Sequence, residues 1–196
     1  MKDLKTIKAM LEAFATGDAM GMPTEFMTRE EIAVNVGKVQ SLLPSTMSFH
    51  HSDLAAGTVT DDTEQTLYLI KRYCEDKAVT VYGTVASLLA WIKETDAVAK
   101  HYIGPSSLKA LTSIENGASA EETGTTGTTC GGIMRTLAPV FCCKHKTELL
   151  STIRKALLPT HNTSLALSAA GAYAYAIWSC FEGLSINQIV EHAIER

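Results

Sequence analysis

The sequence is 196 residues long, 46% hydrophobic and 19% charged, with a formal charge of −4 and a pI of about 5.9. That length fits one domain with its own core, and the balance of apolar to charged residues excludes a disordered chain. No Lys/Arg run could track the backbone of long nucleic acid, so such a partner is excluded, whereas a small anion held by backbone N–H groups is not.

The five cysteines, Cys74, Cys130, Cys142, Cys143 and Cys180, are odd in number and form no CxxC pair. They read as buried thiols of a reducing compartment rather than as a disulfide framework or a zinc site. The opening residues Met1-Lys2-Asp3-Leu4-Lys5 lack the apolar core of a signal peptide. The longest uncharged apolar stretch, 165–181, is rich in Ala, Gly and Ser and falls short of the ~20 residues of a membrane span, so it reads as a central buried helix. The expectation is a single cytoplasmic domain over residues 1–196 without a membrane partner.

Along the chain, Leu4, Ile7, Met10, Leu11 and Phe14 recur at three- and four-residue steps, which predicts a helix ended by Gly17, Gly21 and Pro23. A short helix is predicted over 29–36, followed by a polar loop containing Phe49-His50-His51-Ser52-Asp53. The next helix opens at Thr60-Asp61-Asp62-Thr63-Glu64, with Thr60 as N-cap, acids in the first turn, and Leu67, Ile70, Tyr73 and Cys74 on the buried face. Further helices are predicted near 80–98, 105–116, 147–158, 163–181 and 185–195, with Pro105 in a first turn and Ser185 as an N-cap. Residues 39–43 are the single weak strand candidate, so the fold class is all-α. The last predicted helix runs to the end of the sequence with no polar tail behind it, which suggests a larger bundle of which this is the N-terminal part.

Four segments have residues suited to chemistry. Gly17-Asp18-Ala19-Met20-Gly21-Met22-Pro23-Thr24-Glu25 sets two carboxylates around a tight bend, or is simply a helix end. Thr60-Asp61-Asp62-Thr63 offers three oxygen ligands from one short stretch, as a hard cation requires, and is equally the pattern of a capped helix start. Adjacent Asp side chains on a helix point about 100° apart, so they bridge two ions more readily than they chelate one. The stretch Thr123-Gly124-Thr125-Thr126-Gly127-Thr128-Thr129-Cys130-Gly131-Gly132-Ile133-Met134-Arg135 can wrap a phosphate with backbone N–H groups, or serve as an ordinary loop with Arg135 in an ion pair. It is neither a Walker A loop nor a dinucleotide fingerprint. Finally, Pro159-Thr160-His161-Asn162-Thr163-Ser164 precedes the Ala-rich helix, with Thr160 or Asn162 as its cap and His161 as a core or ligand residue.

Together, in this order and spacing, the four segments resemble the ADP-ribosylglycohydrolase family over nearly the whole chain. The resemblance implies a compact all-α bundle around a Mg²⁺ centre of two ions, with Mn²⁺ as the alternative. It implies that Thr60, Asp61 and Asp62 are metal ligands, with Asp61, Asp62 and Glu25 in catalysis. Gly127, Thr128, Gly131 and Gly132 would hold the diphosphate of ADP-ribose, and His161 would lie close to the ligand. The implied partner is an ADP-ribosylated protein or an ADP-ribose-containing small molecule. Two departures stand out. The family's second acidic motif, Asp-x-Asp-Thr/Ser, is absent, since residues 163–196 contain no Asp, and Cys130 stands where many bacterial members have Asn. The first departure leaves a non-catalytic ADP-ribose-binding relative or an inactive piece as the rival reading, and a plain helical interaction module as a third. A bundle lacking its last helices would expose apolar surface, so self-association is expected.

Overall fold

The computed structural model describes residues 2–48, 50–51 and 53–194. Phe49 and Ser52 of the predicted polar loop, and Glu195 at the end of the last predicted helix, lie outside the described residues. The class is all-α, with no strand among the described residues, and the segment 39–43 is irregular rather than extended in a sheet. The residues gather into two compact units, Leu4–Glu64 and a second comprising Met1–Asp3 with Gln65–Arg196.

In the unit Leu4–Glu64, helix α1 (Leu4–Gly21) ends at Gly21, ahead of Pro23, as expected, while Gly17 stays inside it with helical geometry and open space beside its Cα. An interior glycine costs a helix about 1 kcal/mol and does not end it. A 3₁₀ turn at Met22–Thr24 follows, with Pro23 where its missing N–H is harmless. Phe26 then takes a left-handed conformation (φ 61°), which turns the chain sharply after Glu25. Helix α2 (Arg29–Asn35) opens on a capping box: Thr28 Oγ1 accepts the Glu31 N–H, and the Glu31 carboxylate accepts the Thr28 N–H. The unit closes on the first residues of α3 (Asp61–Asp76).

The second unit begins within α3. Its buried residues there are Gln65, Thr66, Leu69 and Tyr73, whereas Leu67 and Cys74, expected inside, are exposed. Tyr73 fixes that register through a buried 2.6 Å hydrogen bond between its hydroxyl and Thr84 Oγ1 on α4 (Val81–Thr95). Thr80 caps α4, and Asp96 in the left-handed region ends it. Helix α5 (Pro105–Glu115) has Pro105 in its first turn as expected, and Leu111 joins Val85 and Leu88 of α4 in one core cluster.

The Thr/Gly-rich stretch leads through two 3₁₀ turns into α6 (Leu137–Cys142), a helix that the periodicity does not reveal because it spans barely two turns. Lys2 Nζ donates to the carbonyls of Val140 and Cys143 and, at 3.3 Å, of Phe141, so a cation satisfies the open C-terminal carbonyls of α6.

Helix α7 (Leu149–Leu157) buries Leu149, Ile153, Ala156 and Leu157, each large side chain contributing roughly 1.5–3 kcal/mol. It packs on α8 (Ser164–Phe181), whose inward residues include Ala166, Ala170, Gly171 and Ala174. Small residues permit that approach: a Cβ on Gly171 would stand 3.1 Å from Leu150 Cδ2. Helix α8 is long and apolar enough to cross a membrane by length and composition, and 33% of it is buried, so it is a one-sided rather than a wholly buried helix. Thr163, not Thr160 or Asn162, is its N-cap, accepting the Ala166 N–H.

Helix α9 (Ile186–Ile194) follows, with the Ser185 N–H and hydroxyl both donated to Gln188 Oε1 instead of the hydroxyl capping the helix. Ile186, Val190 and Ile194 lie four residues apart on α9 and are exposed. The thiols are more open than expected, only Cys143 being buried while Cys74, Cys130 and Cys180 are exposed.

Candidate active site

In the unit Leu4–Glu64, the start of α3 is built around Asp18. Its carboxylate accepts the Thr60 N–H (2.9 Å), the Thr60 hydroxyl (2.6 Å), the Thr63 N–H (3.1 Å) and the Thr63 hydroxyl (2.6 Å). The N-cap function expected of the Thr60 side chain is thus performed by a carboxylate 42 residues earlier in the sequence. Such a cap satisfies orphan N–H groups and sets a negative charge at the positive end of the helix dipole. Thr60 is buried, and because its hydroxyl proton points to Asp18, its remaining lone pairs are available as a ligand.

Asp61 and Asp62 follow on the first turn, in an environment crowded with negative charge. Burial, then the charges of Asp62, Glu25 and Asp18, push the Asp61 carboxyl up to about 8. Burial, then Asp18 and Glu25, push Asp62 up to about 6. Both shifts arise because ionised carboxylates lose water and repel one another. The donor set of Thr60, Asp61 and Asp62 is all oxygen, and its excess negative charge is what a hard divalent cation such as Mg²⁺ neutralises. The residues present therefore fit the ion that the sequence implies.

Glu25 stands beside a second feature that the sequence does not announce. His51 Nε2 lies 2.6 Å from Glu25 Oε2, with the imidazole buried and the carboxylate 40% exposed. The loop presenting the imidazole is closed at its base by Ser45, whose N–H donates to Leu54 O (2.9 Å) and whose Oγ accepts the Leu54 N–H (2.8 Å). Ser48 Oγ accepts the N–H groups of His50 (3.1 Å) and His51 (2.9 Å), folding the tip.

In the second unit, the Thr/Gly-rich loop packs on residues 157–161. A Cβ on Gly127 would stand 2.2 Å from Thr160 O; on Gly132, 3.1 Å from His161 Cβ and from Leu157 Cδ2; on Gly131, 3.2 Å from the His161 ring. Close packing against the chain itself thus accounts for these glycines, while Thr128, Thr129 and Cys130 are exposed.

His161 is 1% exposed and links three neighbours. Arg135 NH2 donates to Thr160 Oγ1, Thr160 Oγ1 lies 2.9 Å from His161 Nδ1, and His161 Nε2 lies 3.1 Å from Thr129 Oγ1. Burial, then the Arg135 charge, lowers the His161 pKa to about 4, so the ring is neutral near pH 7. Arg135 has no acceptor to offer, so Nδ1 takes the Thr160 proton and Nε2 carries the ring hydrogen, donated to Thr129. Arg135 is itself fully buried, with its pKa lowered to about 10 by desolvation. The ion pair expected for it is not formed among the described residues, and its Nε has no partner there.

The acidic residues Glu25, Asp61 and Asp62 are thus brought together with Thr60 in one unit, and Gly127, Thr128, Gly131, Gly132 and His161 in the other. Sequence reading passed over His51 as the partner of Glu25 and Thr129 and Thr160 as partners of His161. Glu25 and His51 are 26 positions apart and Thr129 and His161 are 32 apart, separations that leave no periodic trace, whereas Thr160 adjoins His161 and was an available signal, as was the His-His pair at 50–51.

Comparison with known proteins supplies the context. A model of the family described as ADP-ribosylglycohydrolase matches residues 2–196. An uncharacterized protein of Archaeoglobus fulgidus is 33% identical over 186 residues, covering 93% of this chain and 58% of the relative. The uncharacterized protein YegU of Escherichia coli K12 is 29% identical over 187 residues, covering 90% of this chain and 54% of YegU. A solved chain of an ADP-ribosylglycohydrolase-related protein complex shares the fold with a TM-score of 0.77 at 22% identity, covering 94% of this chain and 59% of that one. The chain therefore spans a little over half the length of these relatives.

Proposed function

Because the chain belongs to the ADP-ribosylglycohydrolase family, we propose that it serves a hydrolase that releases ADP-ribose from a modified protein side chain or from a small molecule, using a Mg²⁺ centre. The observation carrying this reading is the crowding of Asp61 and Asp62 with Asp18 and Glu25 at the start of α3. Thr60, Asp61 and Asp62 would hold the cation, Mg²⁺ or Mn²⁺, which when bound supplies Lewis acidity and orients substrate hydroxyls.

The chain's own residues account for the rest. The bond to be broken joins the anomeric carbon of the ribose to its acceptor, and its transition state carries positive charge on the sugar. With the cation bound, Asp61 and Asp62 would be ionised and, with Glu25, would supply negative charge in a partly desolvated setting, where electrostatic stabilisation is strongest. Glu25, held by His51, is the carboxylate placed to accept a proton from the attacking water. The exposed hydroxyls and backbone of Thr128–Gly131 would bind the diphosphate through N–H and O–H groups. Neutral His161 would orient Thr129 through its Nε2–H.

A second reading is an ADP-ribose-binding relative without turnover, which the Thr/Gly-rich loop packed on neutral His161 would serve without any cation. Release of ADP-ribose from ADP-ribosyl-arginine and ADP-ribosyl-serine, with Mg²⁺, Mn²⁺ or chelator, separates the two. Cation-dependent release that disappears in Asp61→Ala supports the hydrolase. Binding of ADP-ribose without release supports the second reading, and neither binding nor release overturns both.

A further inference from the structure

The unit Leu4–Glu64 holds a second group of metal-ligating side chains, different in chemistry from the all-oxygen cluster. Glu25, His50 and His51 each offer one ligand atom, and the three atoms lie within 4.8 Å of one another. The imidazoles of His50 and His51 meet edge-on with centroids 4.6 Å apart, and Phe26 packs edge-on against His50 at 4.7 Å. His51 is buried. The loop presenting the rings is fixed by the Ser45–Leu54 pair at its base and by Ser48 at its tip, so the donors are pre-positioned.

Two imidazole nitrogens and one carboxylate make a borderline donor set, preferred by first-row ions such as Zn²⁺ over Mg²⁺. A His₂Glu set of this kind leaves coordination positions open to water. The 2.6 Å contact of His51 Nε2 with Glu25 Oε2 is a hydrogen bond. An ion about 2.0–2.2 Å from both atoms needs them some tenths of an ångström further apart, a change within reach of the partly exposed Glu25 side chain.

We propose that Glu25, His50 and His51 form a site for a borderline divalent transition ion, with Zn²⁺ as its representative. Binding rests on these three side chains alone. If the reading of Glu25 as the proton acceptor also holds, Zn²⁺ occupancy engages that carboxylate and slows turnover.

The test is calorimetric titration of the whole chain with Zn²⁺ in excess Mg²⁺, which occupies the oxygen cluster, together with Co²⁺ titration followed by visible absorption. The expected result is one Zn²⁺ per chain, with affinity at least tenfold weaker in His50→Ala and in Glu25→Gln, and with unchanged helical circular dichroism in both. His51→Gln, which can keep a hydrogen bond to Glu25, should weaken binding equally. Wild-type chain that takes up no Zn²⁺, uptake unchanged in these variants, or a Co²⁺ spectrum dominated by thiolate charge transfer from the exposed cysteines would each overturn the proposal. Binding without any effect on ADP-ribose release would leave the site standing and count against the role given to Glu25.

Discussion

Asp18 caps the helix that begins at Asp61 by accepting both the N–H and the hydroxyl of Thr63, at 3.1 and 2.6 Å. One carboxylate at the end of α1 therefore fixes where α3 starts and where its two leading acids stand. Asp18→Ala should lower stability by about 2–3 kcal/mol in urea denaturation, the scale of a lost cap with charge-assisted bonds. Asp18→Asn, which keeps acceptor capacity, should lose about half as much. A loss below about 0.5 kcal/mol in the alanine variant would show that the cap is dispensable.

The pH dependence of the metal-free protein follows from the same crowding. Asp61 rises to about 8 and Asp62 to about 6 in the fold, from an ordinary value of 3.8. With folded values above the unfolded ones, the native state holds more protons, so stability falls as pH rises through the folded values and levels off above about 9. In chelator, between roughly pH 7.5 and 8.5, where His161 is neutral in both states, urea midpoints should decline with pH. Asp61→Asn should flatten that slope. A midpoint that rises with pH in the wild-type chain would refute the charge account.

His161 has the opposite sign. Its folded value of about 4 lies below the ordinary 6.5, so the stability it allows is complete above about 6.5 and is lost as pH falls towards 4. Nitrogen-15 NMR should show a neutral ring with the hydrogen on Nε2 down to about pH 5. A ring that titrates near 6.5, or that carries its hydrogen on Nδ1, would contradict the Arg135–Thr160–His161–Thr129 chain of hydrogen bonds.

The exposed Ile186, Val190 and Ile194 stripe of α9 leads to a test of self-association. Sedimentation velocity should show concentration-dependent association that weakens in a double Ile186→Ser, Ile194→Ser variant. A monomer at all concentrations, identical in both proteins, would remove the stripe from consideration.

Most helices were legible because their apolar residues repeat at the helical period and their ends carry local signals, as at Pro105. The end of α1 was legible in Gly21 and Pro23 but not in Gly17, because a glycine weakens a helix without breaking one whose neighbours remain helical. Helix α6 was missed for its brevity, and the buried side of α3 was misread because polar Gln65 and Thr66 face inward beside Leu69 and Tyr73. At the site, Thr60, Asp61 and Asp62 were legible as neighbours in sequence. The Asp18 cap, the Glu25–His51 pair and the Arg135–His161 network join residues 25 to 45 positions apart, and local pattern has no information about such pairings.

The proposed function stands on a cation site formed at the start of α3 by Thr60, Asp61 and Asp62. Calorimetric titration with Mg²⁺ near pH 7 tests it most directly, comparing the wild-type chain with the Asp61→Asn, Asp62→Asn double variant. The wild-type chain should bind Mg²⁺ with release of protons, since Asp61 must ionise to bind, and the double variant should lose both heat and proton release. Absence of Mg²⁺ binding to the wild-type chain, or binding that survives both substitutions, would contradict it.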